Sequence, residues 1–243
     1  MTKAGWLLSG IKRLYPRVRR ELAISQQWYN NWCREHTPRR ATPITWHLVQ
    51  AFAGLCIHLR WHRLAALFLI SFVFFLRTGE SLILRPDDLL LSQSDGCTVV
   101  RLASSKTSPG AQQSLAHFDN ILVETLRSLL ARSPPDKPLW RWSLTHFRNC
   151  FTSICNFFDL EALELVPYSL RRGGATFFYT QTNSLDSVMI RGRWKDQATA
   201  RIYLDDARAT LVRLGIPSSS RPLISLFRNV FLSFALRSAR EQG

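Results

Sequence analysis

Lysine and acid are both scarce in this chain of 243 residues. Five Lys stand against 27 Arg, and Asp plus Glu total only 17, so the formal net charge is +15. A surplus this large points to a polyanionic partner: DNA, RNA or an acidic membrane. Arg grips a phosphate with a planar two-bond fork where Lys offers a point charge, although codon bias in a GC-rich genome would leave the same composition. Cysteine is sparse too: five residues with no C-x-x-C pair, which argues against a zinc ribbon or a secreted disulfide frame and leaves a reducing compartment as the default. The nearest metal-like grouping is Cys56, His58 and His62. Its two histidines sit four apart, but no carboxylate supports them, so no metal site is assigned. Long apolar runs are missing. Leu64 to Leu76 is thirteen residues, short of the roughly 20 that span a bilayer, and reads as a helix buried on most sides. Ala4 to Ile11 lacks the length and the small-residue cleavage site of a targeting segment. Gly173-Gly174 belongs to no Gly-x-Gly-x-x-Gly or Walker pattern; it suits close helix packing or backbone approach to DNA. The apolar share, 46%, is ordinary for a globular core.

Charge and turn chemistry divide the chain. Residues 1–63 hold eleven bases and two acids, as a DNA-facing arm or a merely solvated face would. Thr42-Pro43 predicts a helix start, and Ile44, Leu48, Phe52, Leu55 and Leu59 recur on one helical face. The apolar helix 64–76 follows, with a break at Arg85-Pro86-Asp87-Asp88. Residues 89–118 change period and read as three short strands, 89–91, 98–102 and 113–118. The turns between them are Ser94-Asp95-Gly96 and Ser108-Pro109-Gly110. Helices are predicted over 120–132, 143–158, 169–181, 184–192 and 198–213. After the linker Pro217 to Ser220, a last helix carries an apolar seam at Leu223, Phe227, Val230 and Phe234. The fold class is mainly α with a small antiparallel β-sheet (α+β). The expected divisions are 1–40, 41–215 and 216–243.

Four segments carry the chemistry. Arg77-Thr-Gly-Glu80 leads into Leu84-Arg85 and Asp88. Lys106 lies in Ser104-Ser105-Lys106-Thr107, in the strand region. Tyr168-Ser-Leu-Arg171-Arg172-Gly-Gly opens a helix. Gly192-Arg193-Trp194 precedes Arg201-Ile202-Tyr203, with nine residues from Trp194 to Tyr203. In this order the segments resemble the catalytic domain of the tyrosine recombinases, the phage-integrase family, over roughly residues 40–213. That family carries Arg-x-x-Glu or Asp, a hairpin Lys, His-x-x-Arg, and a His or Trp about nine residues before a Tyr nucleophile.

The resemblance implies a site made of Arg77, Lys106, Tyr168, Arg171, Trp194 and Tyr203, supported by Glu80, with no metal and no cofactor. Arg77 and Arg171 would face the non-bridging oxygens of a five-coordinate phosphorus, where cations stabilise the transition state above the ground state. Lys106 would protonate the leaving 5′-oxygen, because an ammonium can give up a proton and a guanidinium effectively cannot. Tyr203 would attack, leaving a 3′-phosphotyrosyl link that conserves bond energy, so rejoining needs no ATP. Trp194 would donate its indole N–H to phosphate, and Glu80 would orient Arg77 or the surroundings of Tyr168. Ordinary alternatives stay open for each: a surface or salt-bridge arginine, a turn lysine, a tyrosine or tryptophan packed in the core, a helix-surface acid.

Two departures stand out. Tyr168 occupies the family's usual His place, and a phenol is a poor proton acceptor near pH 7. Residues 1–40 are too few for the family's amino-terminal clamping domain and are expected to be its last helix and linker. The implied partners are double-stranded DNA and further copies of the chain, as a tetramer on DNA into which the 216–243 segment would reach as a docking arm or fold back on its own core; no membrane is implied. The style of the boxes suggests a mobile element of a eukaryotic genome, hence an intracellular, DNA-associated protein, nuclear if eukaryotic. Other readings are a non-catalytic DNA-binding remnant, a type IB topoisomerase-like enzyme working as a monomer, and an RNA-binding module, which lacks the RNP signature.

Overall fold

A computed structural model describes residues 3–35, 41–92, 94–102, 113–131, 139–140, 142–204 and 206–240; for Arg34 and Asp206 only the backbone is described. The chain divides into two compact units, 1–40 and 41–243.

The first unit is a pair of helices, α1 (Lys3–Leu14) and α2 (Ala23–Glu35), joined through a 3₁₀ turn at Pro16–Arg19. Two helices stand where one was expected. Pro16 has no N–H to continue α1, and its fixed φ suits the new turn. Lys12 Nζ donates to Gln26 Oε1 at 2.6 Å across the pair. Gly5 lies against the Tyr29 ring, where a Cβ would meet the hydroxyl.

The second unit is built on α3 (Trp46–His58) and α4 (His62–Val73), joined through Arg60 at positive φ. Helix α3 begins three residues after Pro43, capped by Thr45, whose side chain accepts from the Leu48 amide. Both helices are apolar on nearly every face, and both are buried along most of their length. Phe52 stacks on Phe158 at 5.6 Å and meets Phe68 and Phe151 edge-on. Each such buried ring is worth about 1.5–3 kcal/mol relative to exposure, so Phe52→Ala, which removes three ring contacts at once, would open this core.

Helix α4 stops short of residue 76. Phe75 turns to positive φ and sends the chain into α5 (Thr78–Leu82). A 3₁₀ turn at Pro86–Asp88 leads to the sheet: β1 (Leu89–Ser92), β2 (Cys97–Leu102) and β3 (Gln113–Phe118), antiparallel in that order. The β1–β2 turn needs Gly96, which sits at φ +56. The register pairs Leu89 with Val100 and Val100 with Leu115, and all three side chains face the core. Ser108-Pro109-Gly110, the predicted second turn, lies outside the described residues.

The remaining helices are α6 (Asn120–Leu130), α7 (Leu144–Phe157), α8 (Tyr168–Thr182), α9 (Leu185–Gly192), α10 (Gln197–Tyr203), α11 (Asp206–Leu214) and α12 (Arg221–Arg240). The single helix predicted over 198–213 is two. Leu204 is extended, and its amide closes α10 onto Arg201 O. The division leaves Tyr203 at a helix end. In α12, Ile224, Phe227, Phe231 and Ala235 are buried, and the helix packs on α3 and α6. The predicted seam, Leu223, Phe227, Val230 and Phe234, is taken up by the same core.

Candidate active site

A second, smaller apolar cluster lies beside the main core: Phe75, Ala175, Val188, Trp194 and Ala200, with Tyr203 and Leu204 packed against it. It seats α8, α9 and α10 at the end of α4. The motif residues gather around it.

Arg77 is the N-cap of α5 in extended backbone, and Glu80 is its third helical residue. Glu80 reaches back to accept from the Arg77 amide at 2.8 Å and from Arg77 Nη1 at 2.6 Å. This is the carboxylate half of a capping box; an arginine side chain has no acceptor with which to complete the other half. Glu80 also accepts from Arg193 Nη2 at 2.7 Å and lies 3.9 Å from Arg171 Nη1. One carboxylate therefore serves three guanidiniums. Side-chain exposure grades across the group: Arg77 28%, Glu80 11%, Arg193 4%, Arg171 0%.

Arg171, one turn into α8, is sealed. Its Nη1 donates to Phe75 O, and its Nη2 donates to Gly192 O at 2.8 Å. The guanidinium lies over the Trp194 ring at 5.0 Å and the Tyr203 ring at 5.5 Å, within cation–π range. Burial, and secondarily Arg77, pull its pKa below the usual arginine value. Of the two arginines expected to face a phosphate, Arg77 is the accessible one, while Arg171 braces the chain reversal after α4 against the end of α9.

Helix α9 ends at Gly192, and Arg193 follows in the left-handed conformation. That turn brings the Trp194 amide onto Met189 O at 3.0 Å and lays the indole against Tyr203, with ring centroids 4.4 Å apart. Among the described residues, Trp194 Nε1 is buried without an acceptor, as are Arg193 Nε and Nη1 and Arg171 Nε. Buried donors are normally paired, so these four stand out as exceptions beside the Glu80 cluster.

Tyr203 is held from α8 at three levels. Arg172 Nη2 donates to Ile202 O at 2.9 Å, and Thr176 Oγ1 donates to Tyr203 O at 3.1 Å. The Tyr203 and Tyr168 hydroxyls are 2.5 Å apart. Burial pushes the Tyr168 pKa well above the usual tyrosine range; the hydrogen bond to Tyr203 adds to the rise, and Arg171 and Arg77 oppose it.

Arg77, Glu80, Tyr168, Arg171, Trp194 and Tyr203 are thus brought together; Lys106 lies outside the described residues. Arg172, Thr176 and Arg193 join the site without having been singled out from the sequence. Arg172 follows Arg171 by one residue, about 100° around the helix, and its role appears only once α10 is in place. Arg193 stood in the Gly-Arg-Trp box, but nothing in a sequence marks an arginine that will take a left-handed turn. Of the residues near Cys56, His58 meets Phe227 edge-on and His62 lies against Phe234. Among the described residues no helix is long and apolar enough to cross a membrane.

No family model and no curated protein matches the chain. Solved structures do. A XerH site-specific recombinase bound to difH substrate, in a pre-cleavage complex, aligns at TM-score 0.56 and 18% identity, over 71% of this chain and 53% of that one. A XerH post-cleavage complex on palindromic difH aligns at 0.54 and 19%, over 68% and 50%. The Tn1549 transposon integrase in complex with transposon right-end DNA aligns at 0.51 and 12%, over 73% and 67%. The chain spans about half the length of the XerH chains. At these identities the likeness is one of fold: a tyrosine-recombinase-like catalytic fold, mainly α with a three-stranded antiparallel sheet.

Proposed function

We propose that this chain cuts and rejoins duplex DNA by transesterification on Tyr203, as a recombinase or integrase. The observation that carries this reading is the convergence of Arg77, Arg171, Trp194 and the Tyr168–Tyr203 hydroxyl pair, from four separate segments, around Glu80 and one small apolar cluster. A likeness of fold to the recombinases above agrees with it.

In this reading a DNA phosphate docks on Arg77 and the Trp194 N–H. The Tyr203 oxygen bonds to phosphorus as the bond to the 5′-oxygen breaks. Lys106 gives its proton to that oxygen, and the Tyr203 proton leaves through the Tyr168 hydroxyl to solvent. Tyr168 acts as a relay and hydrogen-bond donor to the developing phenolate, since a phenol is a poor proton acceptor near pH 7. Arg171 contributes its field from beneath the two rings, and the buried setting strengthens every charge interaction. Rejoining is the same step run backwards by a 5′-hydroxyl. Assembly of several copies on DNA, each donating one such centre, belongs to the same proposal.

A DNA-binding relative that no longer cleaves is the second reading. Two observations favour it: a phenol in the proton-accepting place, and the closed hydrogen bonds of Arg171. Covalent trapping separates the two. Wild type and Tyr203→Phe are incubated with labelled, nicked duplexes taken from the DNA flanking the gene, at low salt without divalent metal, and then denatured. Label retained on wild type alone supports cleavage by Tyr203. Salt-sensitive binding with no adduct supports the binding relative. A second substrate tests Lys106: a 5′-bridging phosphorothiolate leaves as a thiolate, which needs no proton because thiol pKa values lie near 8.5. It should restore Lys106→Ala if Lys106 is the acid.

A further inference from the structure

The proposed reaction leaves one buried cation without a task. Among the described residues the Arg193 side chain bonds to Glu80 and to neither tyrosine. Its backbone is at φ 58, a conformation that glycine takes freely and an arginine takes only under strain. The turn itself is closed by main-chain bonds, Arg193 N to Ile190 O and Trp194 N to Met189 O, so it does not need this side chain. The guanidinium is almost completely buried. Among the described residues its one acceptor is Glu80 Oε2, while Nε and Nη1 have none. A strained residue with orphaned donors and a single strong bond points to that bond as its purpose.

We infer that Arg193 is a positioning residue for strand cleavage: by gripping one oxygen of Glu80 it fixes the carboxylate whose other oxygen sets the Arg77 guanidinium toward the phosphate. The inference rests on the cleavage reading. The exposure gradient supports it, because Arg77 reaches solvent and Arg193 does not; Arg193 therefore acts through Glu80. Charge supports it as well. Among the described residues Glu80 is the one carboxylate ion-paired to Arg77, Arg171 and Arg193, so three cations share one acid where the cluster meets a phosphate. Without Arg193 the carboxylate keeps only its bonds to Arg77 and the longer 3.9 Å approach of Arg171, and its hold on the Arg77 guanidinium loosens. The turn at 193–194 thus joins the two halves of the site. Arg193 sets the Arg77 side through Glu80, and Trp194 packs on the nucleophile.

The test is Arg193→Gly, which removes the guanidinium while easing the backbone. Single-turnover adduct formation is measured at saturating nicked duplex, alongside DNA affinity by anisotropy and the thermal midpoint. The expected result is a rate lower by on the order of 10- to 100-fold, less than the loss of a direct transition-state donor, with affinity within about twofold of wild type, since phosphate-contacting charges set affinity. Millimolar methylguanidinium should restore part of the rate. Glu80→Gln should lower it similarly, and adding Arg193→Gly to Glu80→Gln should change little, because residues acting as a unit are not additive. A rate within threefold of wild type overturns the inference, as does full additivity with Glu80→Gln. Arg193→Asn, which also tolerates the left-handed turn, decides in the same way should the glycine variant not fold. Absence of any adduct from wild type overturns the cleavage reading and this inference with it; a normal wild-type adduct with an unchanged Arg193→Gly rate overturns this inference alone.

Discussion

Replacing Gly174 by alanine tests how the site is held. Gly174 lies in α8, six residues after Tyr168 and three after Arg171, where α8 meets the end of α4. A Cβ there would stand 2.0 Å from Phe72 O and 2.9 Å from the Phe75 ring. The carbonyl belongs to a helix backbone and cannot rotate aside. Ordinary contact begins at 3.4 Å, so α8 has to retreat by about 1.4 Å. Alanine improves helix propensity by about 1 kcal/mol, while overpacking against a rigid neighbour costs about 3 kcal/mol, the upper end of its usual range. The net loss is about 2 kcal/mol, a factor of roughly 30 in the folded-to-unfolded ratio. Gly79→Ala is the control, because nothing lies within 4 Å of its Cβ; it should be neutral or stabilising by up to about 1 kcal/mol. Urea titration followed by tryptophan fluorescence reads both. The retreat also lengthens the bond from Arg171 Nη2 to Gly192 O, now 2.8 Å, and displacement of about 1 Å in a reacting centre costs on the order of 100-fold in rate. A Gly174→Ala protein as stable as Gly79→Ala, with an unchanged adduct rate, would refute the claim that close backbone approach positions Arg171.

Other outcomes follow from particular contacts. Tyr168→His should raise the rate of adduct formation if proton removal from Tyr203 limits it, and the pH–rate profile should gain a limb near pH 6.5; an unchanged rate and profile would mean that the site needs no base there. His117 accepts from, or abuts, Arg191 Nη1 at 3.1 Å, and burial and Arg191 hold its pKa below the ordinary histidine value while Asp119 opposes them. The unfolded chain therefore takes up the proton first, and stability should fall as pH drops through about 6.5. His117→Gln should flatten that slope in urea titrations between pH 7 and 5, with His47, shifted the same way by burial, Arg228 and Arg213, leaving a remainder. Thiol titration of the native protein should find Cys33 and Cys150 first. Cys56 and Cys155 should stay silent until unfolding, because both are buried and burial pushes the Cys155 thiol up to about 12.

Much of the secondary structure was legible because it rests on local chemistry. The β-branched run Thr98-Val99-Val100 and the turn residues around Gly96 are short-range signals, and an antiparallel hairpin forms there; its register was not read from the sequence. Apolar periodicity located α3 and α12 but not their buried faces: Leu59 of the α3 seam is exposed, and of the α12 seam only Phe227 falls in the buried row, which runs through Ile224, Phe231 and Ala235. Boundaries were less legible. The break between α10 and α11 at Leu204 follows from the way Arg172 and Thr176 hold the end of α10, and those partners are about 30 residues away. The second helix of residues 1–40 was hidden by a stretch in which polar and aromatic residues blur the period.

The sequence by itself determined the class of fold, the excess of cation and the types of side chain available for phosphate chemistry, because composition, periodicity and motif order are properties of the chain. Only the tertiary structure decided what each charge does. Arg77, Arg171, Arg172 and Arg193 are alike on paper. Folding leaves Arg77 partly exposed, seals Arg171 against the Phe75 and Gly192 carbonyls, ties Arg172 to the Ala41 and Ile202 carbonyls and sets Arg193 on Glu80. The physical reason is burial. A guanidinium taken from water must find acceptors within reach, and which acceptors lie within reach is decided by how the helices pack.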